Sequence, residues 1–247
     1  MRADSAELLS IEGQPVRVTR WRGSRSTAAL APLGESGSFD AHGVHQLLSV
    51  LRQYRYTEAI TSALPEHEVS AFLDAGFEIK ERLWLLAHPI RPVVKPSFAL
   101  TQRARKSDRP KVLELDGKAF DPFWRLDDAS LLDALQATPR SRFRVIRPRG
   151  KAQRKDLPAL IGYAIFGLAG TRGYLQRLAV DPACRNRGSA TGLVQDGLFW
   201  LSRRGVSVAY VNTQVGNTTA LSLYQRLGFE LQPSGLVVLS ANFGSQW

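Results

Sequence analysis

The sequence is poor in cysteine, in histidine and in long apolar runs, and each shortage excludes a class of protein. A single cysteine, Cys184, cannot form an internal disulfide, which is typical of a reducing compartment and predicts a cytoplasmic location. One cysteine and four scattered histidines leave no metal-ligand cluster visible, so we expect no metal cofactor. No apolar run is long enough to span a bilayer and no secretory apolar core is visible at the N-terminus, so we expect no membrane partner.

The remaining composition is that of a folded protein with a large positive charge. The 247 residues are 44% hydrophobic, which is enough to bury a substantial core in one large or two small domains. Lysine and arginine total 33 against 22 acidic residues, which gives a formal net charge of +11. This balance favours anionic partners such as coenzyme A, nucleic acid or an acidic protein surface. The arginines are spread over the chain, so nucleic acid is a possible partner but not the favoured one.

The stretch from residue 174 to residue 229 has the clearest pattern in the chain. Its periodicity predicts a strand, a basic loop, a helix, a second strand and a second helix. These are a strand over Leu175–Val180, a helix carrying Leu193, Val194, Leu198 and Leu201, a strand over Val206–Val211, and a helix from near Asn217 to Gly228. Asp181-Pro182 ends the first strand, because proline has no N–H for a sheet ladder.

The basic loop between that strand and its helix has the chemistry of a phosphate site. It consists of Arg185, Asn186, Arg187, Gly188, Ser189 and Ala190. The first N–H groups of a helix are unpaired and carry partial positive charge, so they attract phosphate. Glycine lets the backbone approach a ligand closely, and the two arginines add full positive charges. The alternative is an ordinary surface turn with two solvated arginines.

Elsewhere the pattern predicts further elements. In the first half we expect strands at Pro15–Trp21, Tyr56–Ala63 and Glu78–Ala87, an amphipathic helix from Val44 to about Arg55, and a helix that begins at Pro65 and is closed by Gly76. In the second half we expect a strand at Phe98–Arg103, helices at Pro110–Ala119 and Ala129–Ala137, the latter capped by Asp128, and a hairpin of Phe143–Ile146 with Leu160–Leu168. Residues 1–14 carry little pattern, and the glycine- and serine-rich residues 22–43 predict a loop.

Two motifs in the central stretch resemble those of the GNAT superfamily of N-acetyltransferases. LAVDPACRNRGSA resembles the coenzyme A loop of that family, V-x-P-x-x-(Q/R)-x-x-G-x-(G/A). NTTALSLYQRLGF resembles its next segment, N-x-x-A-x-x-(L/F)-Y-x-x-x-G-F. The resemblance is sharp over residues 174–229 and extends by pattern from about residue 97 to residue 247. It implies an α/β fold with a mixed central sheet flanked by helices.

The first half of the chain looks like an incomplete copy of the second. VSAFLDAGFE, residues 69–78, aligns with LSLYQRLGFE, residues 221–230, so that Phe72 falls opposite Tyr224. Both copies follow a helix and a strand, and both precede an apolar strand. The alternative is that any unit of strand, helix and Gly-Phe looks alike. The resemblance supports the first interpretation, because tandem arrangements with a degenerate first copy occur in the family.

We therefore divide the chain into two domains. Residues 1–90 form a degenerate GNAT-like domain, the proline-rich residues 91–96 a linker, and residues 97–247 the acetyl-CoA-binding GNAT domain. The first copy has Glu35 in the loop that matches the basic loop of the second copy, and no arginine replaces Arg185. A carboxylate there would repel a pyrophosphate, so only the second domain is expected to bind the coenzyme.

The resemblance also implies a reaction. The chain would transfer an acyl group directly to a primary amine in a ternary complex, with acetyl-CoA as co-substrate. The strand ending at Val180 would separate from its neighbour and leave the backbone amides of Leu178, Ala179 and Val180 for the pantetheine arm and the thioester carbonyl. Residues 185–190 would hold the pyrophosphate. Asn217 would contact the pantetheine or would simply cap its helix.

Tyr224 is placed by the pattern to contact the coenzyme and to protonate the departing thiolate. The alternative is a half-buried helix residue. The general base is less evident. Family members often use a carboxylate on one of the two separated strands, but the matching positions here are Tyr174, Gln176 and Asn212. Either a water chain acts instead, or a carboxylate from elsewhere in the chain does, with Asp121, Asp127 and Asp128 as the candidates, or the enzyme is weak.

The acceptor stays open among proteins, peptides and small molecules. In the family the segment between the first two helices shapes the acceptor pocket, and here that segment is FDPFWRLDD, residues 120–128. The alternative is that its aromatic residues are simply core. The missing base, the degenerate first half and the charge of +11 also allow a different function, a non-catalytic acyl-CoA-sensing or nucleic-acid-binding module.

Overall fold

The computed structural model describes residues 7–33, 39–90, 101–148 and 158–244, and the chain forms two compact units. Unit 1 consists of Met1–Leu85, Asn212–Asn217 and Gln232–Trp247, and unit 2 consists of Leu86–Val211 and Thr218–Leu231. The units therefore do not follow each other along the chain, because C-terminal residues belong to the same unit as the N-terminal ones. The predicted linker, 91–96, lies outside the described residues, and the predicted domain boundaries stay a prediction.

Short strands outnumber helices in the described part of the chain. The strands are β1 (Glu7–Ile11), β2 (Gln14–Arg20), β3 (Thr27–Pro32), β4 (Glu58–Thr61), β5 (Leu64–Pro65), β6 (Glu78–Pro89), β7 (Thr101–Arg103), β8 (Arg140–Ile146), β9 (Gly162–Ala169), β10 (Arg172–Val180), β11 (Val208–Gln214), β12 (Glu230–Leu231) and β13 (Leu236–Asn242). The α-helices are α1 (Ala41–Gln53), α2 (Ser70–Asp74), α3 (Arg109–Ala119), α4 (Asp128–Gln136), α5 (Ser189–Ser202) and α6 (Thr218–Arg226).

Unit 1 is a sheet covered by the amphipathic helix α1. Strand β2 pairs antiparallel with both β1 and β3, and β3 pairs parallel with β4. The C-terminal strand β13 pairs antiparallel with β4 and with β6, so it completes this sheet from the far end of the chain. Helix α1 begins after Asp40, whose carboxylate accepts a hydrogen bond from the N–H of Gly43 at 2.8 Å. Its apolar residues at helical spacing are buried in the core of the unit: Val44, Leu47, Leu48 and Leu51.

Unit 2 has helices on both faces of its sheet. Strands β7, β8, β9 and β10 pair antiparallel in that order, and β10 pairs parallel with β11. Helices α3 and α4 pack against the face that carries Tyr163 and Ile165, and they form one core with it. Successive residues of a strand point to opposite faces. Accordingly, Gly162 faces Leu193 of α5, since a side chain there would meet that leucine at 3.2 Å.

Most predicted elements are confirmed, and four details are wrong. Strands β1 and β3 lie where little pattern or a loop was expected. Pro65 ends strand β5 instead of opening a helix, and α2 begins only at Ser70. Helix α4 is capped by Asp127, whose carboxylate accepts from the N–H of Ser130 at 2.8 Å, and not by Asp128, which lies in the first turn. The first-copy loop at 34–38 and most of the basic run at 147–155 lie outside the described residues.

The two aligned segments end their helices in the same way. Gly76 has a φ of 89° and Gly228 a φ of 86°, a conformation that favours glycine. The N–H of Phe77 donates to the carbonyl of Phe72 at 2.9 Å, and the N–H of Phe229 donates to the carbonyl of Tyr224 at 3.0 Å. Within each pair the two rings also lie close, with centroids 5.2 Å and 5.6 Å apart. This likeness supports the interpretation of the first half as a related copy.

Candidate active site

Strands β10 and β11 pair only at their beginnings. The parallel register joins Arg172–Tyr174 to Val208–Tyr210, and the rings of Tyr174 and Tyr210 stack with centroids 6.1 Å apart. Beyond Tyr174, β10 continues to Val180 in pairing with β9 on its other edge. The strand separation expected from the sequence is therefore present. It opens one edge of β10 directly before the basic loop.

The open edge of β10 presents backbone groups that no strand occupies in the described pairings. Each alternate residue of a strand directs its N–H and C=O to the same neighbour. Among Leu178, Ala179 and Val180, alternate residues therefore turn their backbone groups toward the edge that β11 has left. The side chain of Ala179 is buried in the core on the α3 side, so this part of β10 is held firmly.

A β-bulge at Gln176 separates the paired part of β10 from the open part. The register with β9 shifts between Leu175 and Arg177, which leaves Gln176 as the extra residue. Its side chain lies against Gly167 of β9, where an added Cβ would come within 2.6 Å of Gln176 Nε2. The Oε1 atom of Gln176 is buried and has no hydrogen-bond partner within the described ranges. A buried acceptor without a donor is costly, so a ligand donor would stabilise it.

The basic loop carries an uncapped helix start. Gly188 is the N-cap residue of α5, with a φ of 75° and no side chain that could pair the first amides of the helix. The first turn contains no acidic residue. Arg185, Asn186 and Arg187 are exposed, and an added Cβ on Gly188 would meet nothing within 4 Å. The open space, the unpaired amides of Ser189 and Ala190, and the two guanidinium groups fit a pyrophosphate.

Asn217 and Tyr224 belong to different units. Asn217, in unit 1, directly precedes α6, and its N–H donates to the carbonyl of Gln214 at 2.9 Å. Its position is that of an N-cap residue. Tyr224, in unit 2, is the one buried residue of α6 and is only 5% exposed, and its role in the reaction stays a prediction. Burial raises the pKa of the Tyr224 phenol above its usual value, because desolvation penalises the phenolate. The side chain is therefore neutral at physiological pH.

A buried ion pair next to this site escaped the sequence analysis. The guanidinium of Arg177 in β10 donates to both oxygens of Asp116 in α3, at 2.8 and 2.9 Å. Asp116 has no solvent exposure, and it also accepts from the hydroxyl of Tyr163 at 2.5 Å. The available signal was a charged residue, Arg177, within a predicted strand. Its partner could not be read from the sequence, because it lies 61 residues away.

This ion pair anchors the segment at 120–128, where acceptor contacts were expected. Arg177 donates to the carbonyl of Trp124 at 2.6 Å, and its guanidinium lies 3.5 Å from the ring centroid of Phe120. Asp116 accepts from the N–H of Leu126 at 2.7 Å. The segment thus makes two contacts with Arg177, which follows the bulge of β10, and one with Asp116. The rings of Phe123 and Trp124 pack edge to face at 4.9 Å and are only partly buried.

The three candidate carboxylates of this segment differ in whether they already cap a helix or are exposed. Asp127 is occupied as the cap of α4. Asp121 and Asp128 are exposed.

Across the described ranges no group of three or more potential ligands is placed to hold a metal ion. In the same ranges, no helix has both the length and the apolar character needed to cross a membrane.

Comparison with known proteins agrees with this architecture. The model of the acetyltransferase (GNAT) family matches residues 109–229. The chain is 41% identical over 58 residues to N-alpha-acetyltransferase 30 of Schizosaccharomyces pombe. That match covers 24% of this chain and 39% of the relative, so the chain spans well under two thirds of the relative's length.

Solved structures share the fold over almost the whole chain. A GCN5-related N-acetyltransferase from Sphaerobacter thermophilus superposes with a TM-score of 0.60 at 16% identity, covering 93% of this chain and 76% of that one. A tandem GNAT protein from the clavulanic acid biosynthesis pathway gives a TM-score of 0.64 at 14% identity, covering 95% and 80%. At these identities the likeness establishes the mixed α/β fold.

Proposed function

Because residues 109–229 belong to the acetyltransferase (GNAT) family, we propose that the chain is an N-acyltransferase that uses acetyl-CoA to acylate a primary amine. The observation that carries the proposal is the order of features along β10. The strand separates from β11 after Tyr174, bulges at Gln176, and leads into the uncapped start of α5 at Gly188. One continuous segment thus offers an open strand edge and an anion site.

The residues around that segment would hold the coenzyme along its length. The amides at the start of α5, together with Arg185 and Arg187, would bind the pyrophosphate. The open edge at Leu178–Val180 would donate and accept backbone hydrogen bonds along the pantetheine arm. Donors at this edge would also stabilise negative charge that develops on a carbonyl oxygen. Acetyl-CoA, when bound, supplies the activated acyl group.

The amine would be oriented by the bulge and by the anchored segment at 120–128. The buried Oε1 of Gln176 can accept a hydrogen bond from the amine N–H, which would aim the nitrogen lone pair away from that oxygen. A glutamine cannot remove a proton, so Gln176 is a positioning residue and a water molecule would carry the proton away. The α-amino group of a peptide is the favoured acceptor, supported by the match to an N-alpha-acetyltransferase.

Tyr224 would act as the general acid. Its buried phenol stays protonated at physiological pH and can give its proton to a departing thiolate. Asn217, in the N-cap position of α6, would contact the pantetheine or cap its helix. The assignments of the site residues and the cytoplasmic location stay predictions.

Calorimetric titration with acetyl-CoA tests the coenzyme site. Arg185→Glu with Gly188→Glu places two carboxylates where the pyrophosphate would lie, and we expect a loss of affinity of at least a hundredfold. Arg172→Glu with Arg203→Glu, two exposed arginines away from the loop, is the control and should bind normally. Equal affinity in all three proteins would refute the loop assignment.

A thiol-release assay tests the transfer itself. The protein would be incubated with acetyl-CoA and a panel of peptides that differ in their first two residues, and free thiol would be measured over time. We expect release that depends on the peptide and is abolished by blocking its α-amine. If the protein binds acetyl-CoA but consumes it no faster with any amine, the non-catalytic acyl-CoA-sensing alternative replaces the enzyme.

A further inference from the structure

A pocket rich in arginine lies at the end of strand β7. Its volume is about 470 Å³, and it is lined by Gln102, Arg103, Ala104, Arg105 and Arg147. Three of the five lining residues are cationic, and none is acidic. β7 is the last strand in the order of its sheet, so the pocket opens beside a sheet edge. The acyl-transfer site proposed above uses none of these residues.

One arginine of the pocket is held rigidly. The guanidinium of Arg147 donates to the side-chain oxygen of Gln102 at 2.5 Å and to the carboxylate of Asp108 at 2.5 Å. The same carboxylate accepts from the N–H of Arg105 at 2.6 Å, and its side chain is only 6% exposed. Asp108 therefore fixes both the guanidinium of Arg147 and the backbone at Arg105. A site that is held in place before binding loses less entropy when a ligand arrives.

The other two arginines are exposed at the same pocket. Arg103 ends β7 in register with Arg144 of β8, and Arg105 lies two residues further on. The buried carboxylate of Asp108 pairs with Arg147, one of the three arginines that line the pocket. Guanidinium groups match the oxygens of a phosphate with paired N–H donors. The pocket thus has the charge and the donors of a phosphate site.

We propose that this pocket binds a backbone phosphate of a nucleic acid. The whole chain has a formal net charge of +11, which attracts a polyanion more strongly than an isolated anion. Three arginines around one pocket suit a ligand that carries one charge at every nucleotide. Phosphate contacts carry no base information, so binding is independent of sequence and of the sugar.

Fluorescence anisotropy with labelled 12-nucleotide RNA and DNA strands of mixed sequence tests the proposal. The full chain is titrated at several salt concentrations, with and without saturating coenzyme A. We expect equal affinity for both strands, a steep loss of affinity with salt, and no competition by coenzyme A. Arg103→Glu with Arg105→Glu should weaken binding at least tenfold and lower the salt slope by about two.

The control variant is Arg172→Glu with Arg203→Glu, which makes the same charge change at exposed arginines outside the pocket. It should weaken binding by less than threefold. Circular dichroism melting confirms that both variants are folded. Arg103→Lys with Arg105→Lys retains the charges and should keep most of the affinity. Equal losses in the two glutamate variants would overturn the site, as would absence of binding at low salt or tighter binding of a polyglutamate peptide.

Discussion

Asp196 of helix α5 and Arg142 of strand β8 form a two-point ion pair. Arg142 Nε donates to one carboxylate oxygen at 2.7 Å and Nη2 donates to the other at 2.9 Å. Thr101 of β7 donates a third hydrogen bond at 3.0 Å, and Arg144 lies 3.3 Å from the same group. A single carboxylate, buried at the interface of a helix with a sheet, therefore joins α5 to β7 and β8.

This ion pair predicts how stability depends on pH. Burial alone would raise the pKa of Asp196, but the hydrogen bonds and charge of Arg142, with Arg144 and Thr101, outweigh it and lower the pKa. A carboxylate with a depressed folded-state pKa stabilises the fold above its unfolded pKa, about 4, and loses that contribution as pH falls through the folded value. We expect the stability from this group to be constant from pH 7 to pH 5 and to decline below pH 4.

Asp196→Asn is the matched variant for that prediction. It leaves Arg142 without its anion in a partly buried place, so unfolding at pH 7 should require about 3 kcal/mol less free energy. Urea unfolding at pH 7, 5 and 3.5 measures the difference. The gap between variant and parent should narrow at the lowest pH. A gap that stays constant would show that the shape of the side chain matters there, and not its charge.

The anchored segment at 120–128 gives a second prediction. Arg177→Met removes the bonds to Asp116 and Trp124 and leaves a fully buried carboxylate without its positive partner. We expect a loss of about 3 kcal/mol in unfolding free energy. If the segment holds the acceptor, KM for a peptide should rise about tenfold while coenzyme affinity changes little.

Arg125→Met is the control within the same segment, because Arg125 is exposed and donates only to the carbonyl of Phe120 at 3.1 Å. It should change the unfolding free energy by about 0.5 kcal/mol or less. Unchanged peptide KM in a folded Arg177→Met protein would separate this ion pair from acceptor binding and leave it a purely structural role.

Two helical glycines predict opposite effects of the same substitution. An alanine Cβ at Gly197 of α5 would overlap the ring of Phe166, whereas one at Gly117 of α3 would meet nothing within 4 Å. Gly197→Ala should therefore destabilise by about 2 kcal/mol through overpacking, and Gly117→Ala should stabilise by up to about 1 kcal/mol. Thermal melting of both variants measures the difference. Equal shifts would mean that helix propensity alone governs both sites.

The elements that the sequence predicted well are those whose apolar residues recur at a regular spacing. Helix α1 was evident because its four apolar residues at helical spacing are the ones that the core buries. Strand β3 was missed because its sequence, TAALAP, is rich in alanine, which has little strand preference. Its burial, complete at Ala28, comes from pairing with β2 and β4, and these contacts are not visible in the local sequence.

The features of the candidate site also differ in whether the local sequence could predict them. The basic loop follows from local chemistry, namely a proline that ends a strand and a glycine that begins a helix, whereas the strand separation was implied by the resemblance to the GNAT family. The Asp116–Arg177 pair and the bulge at Gln176 follow from neither, because each arises from elements that meet only in the folded chain. Asp127 and Asp128 are adjacent and both suit a helix start, so sequence alone could not decide which one caps α4.

Tyr224 carries the sharpest prediction about chemistry. Its hydroxyl is the expected proton donor, and burial raises its pKa, so the donor form persists through neutral and moderately alkaline pH. Tyr224→Phe keeps the ring against Phe229 and removes only the hydroxyl. We expect kcat to fall about a hundredfold with acetyl-CoA affinity unchanged. The parent enzyme should show no loss of kcat between pH 8 and about 9.5 that depends on this residue. Turnover that survives the substitution would remove Tyr224 from the reaction and assign the proton to water.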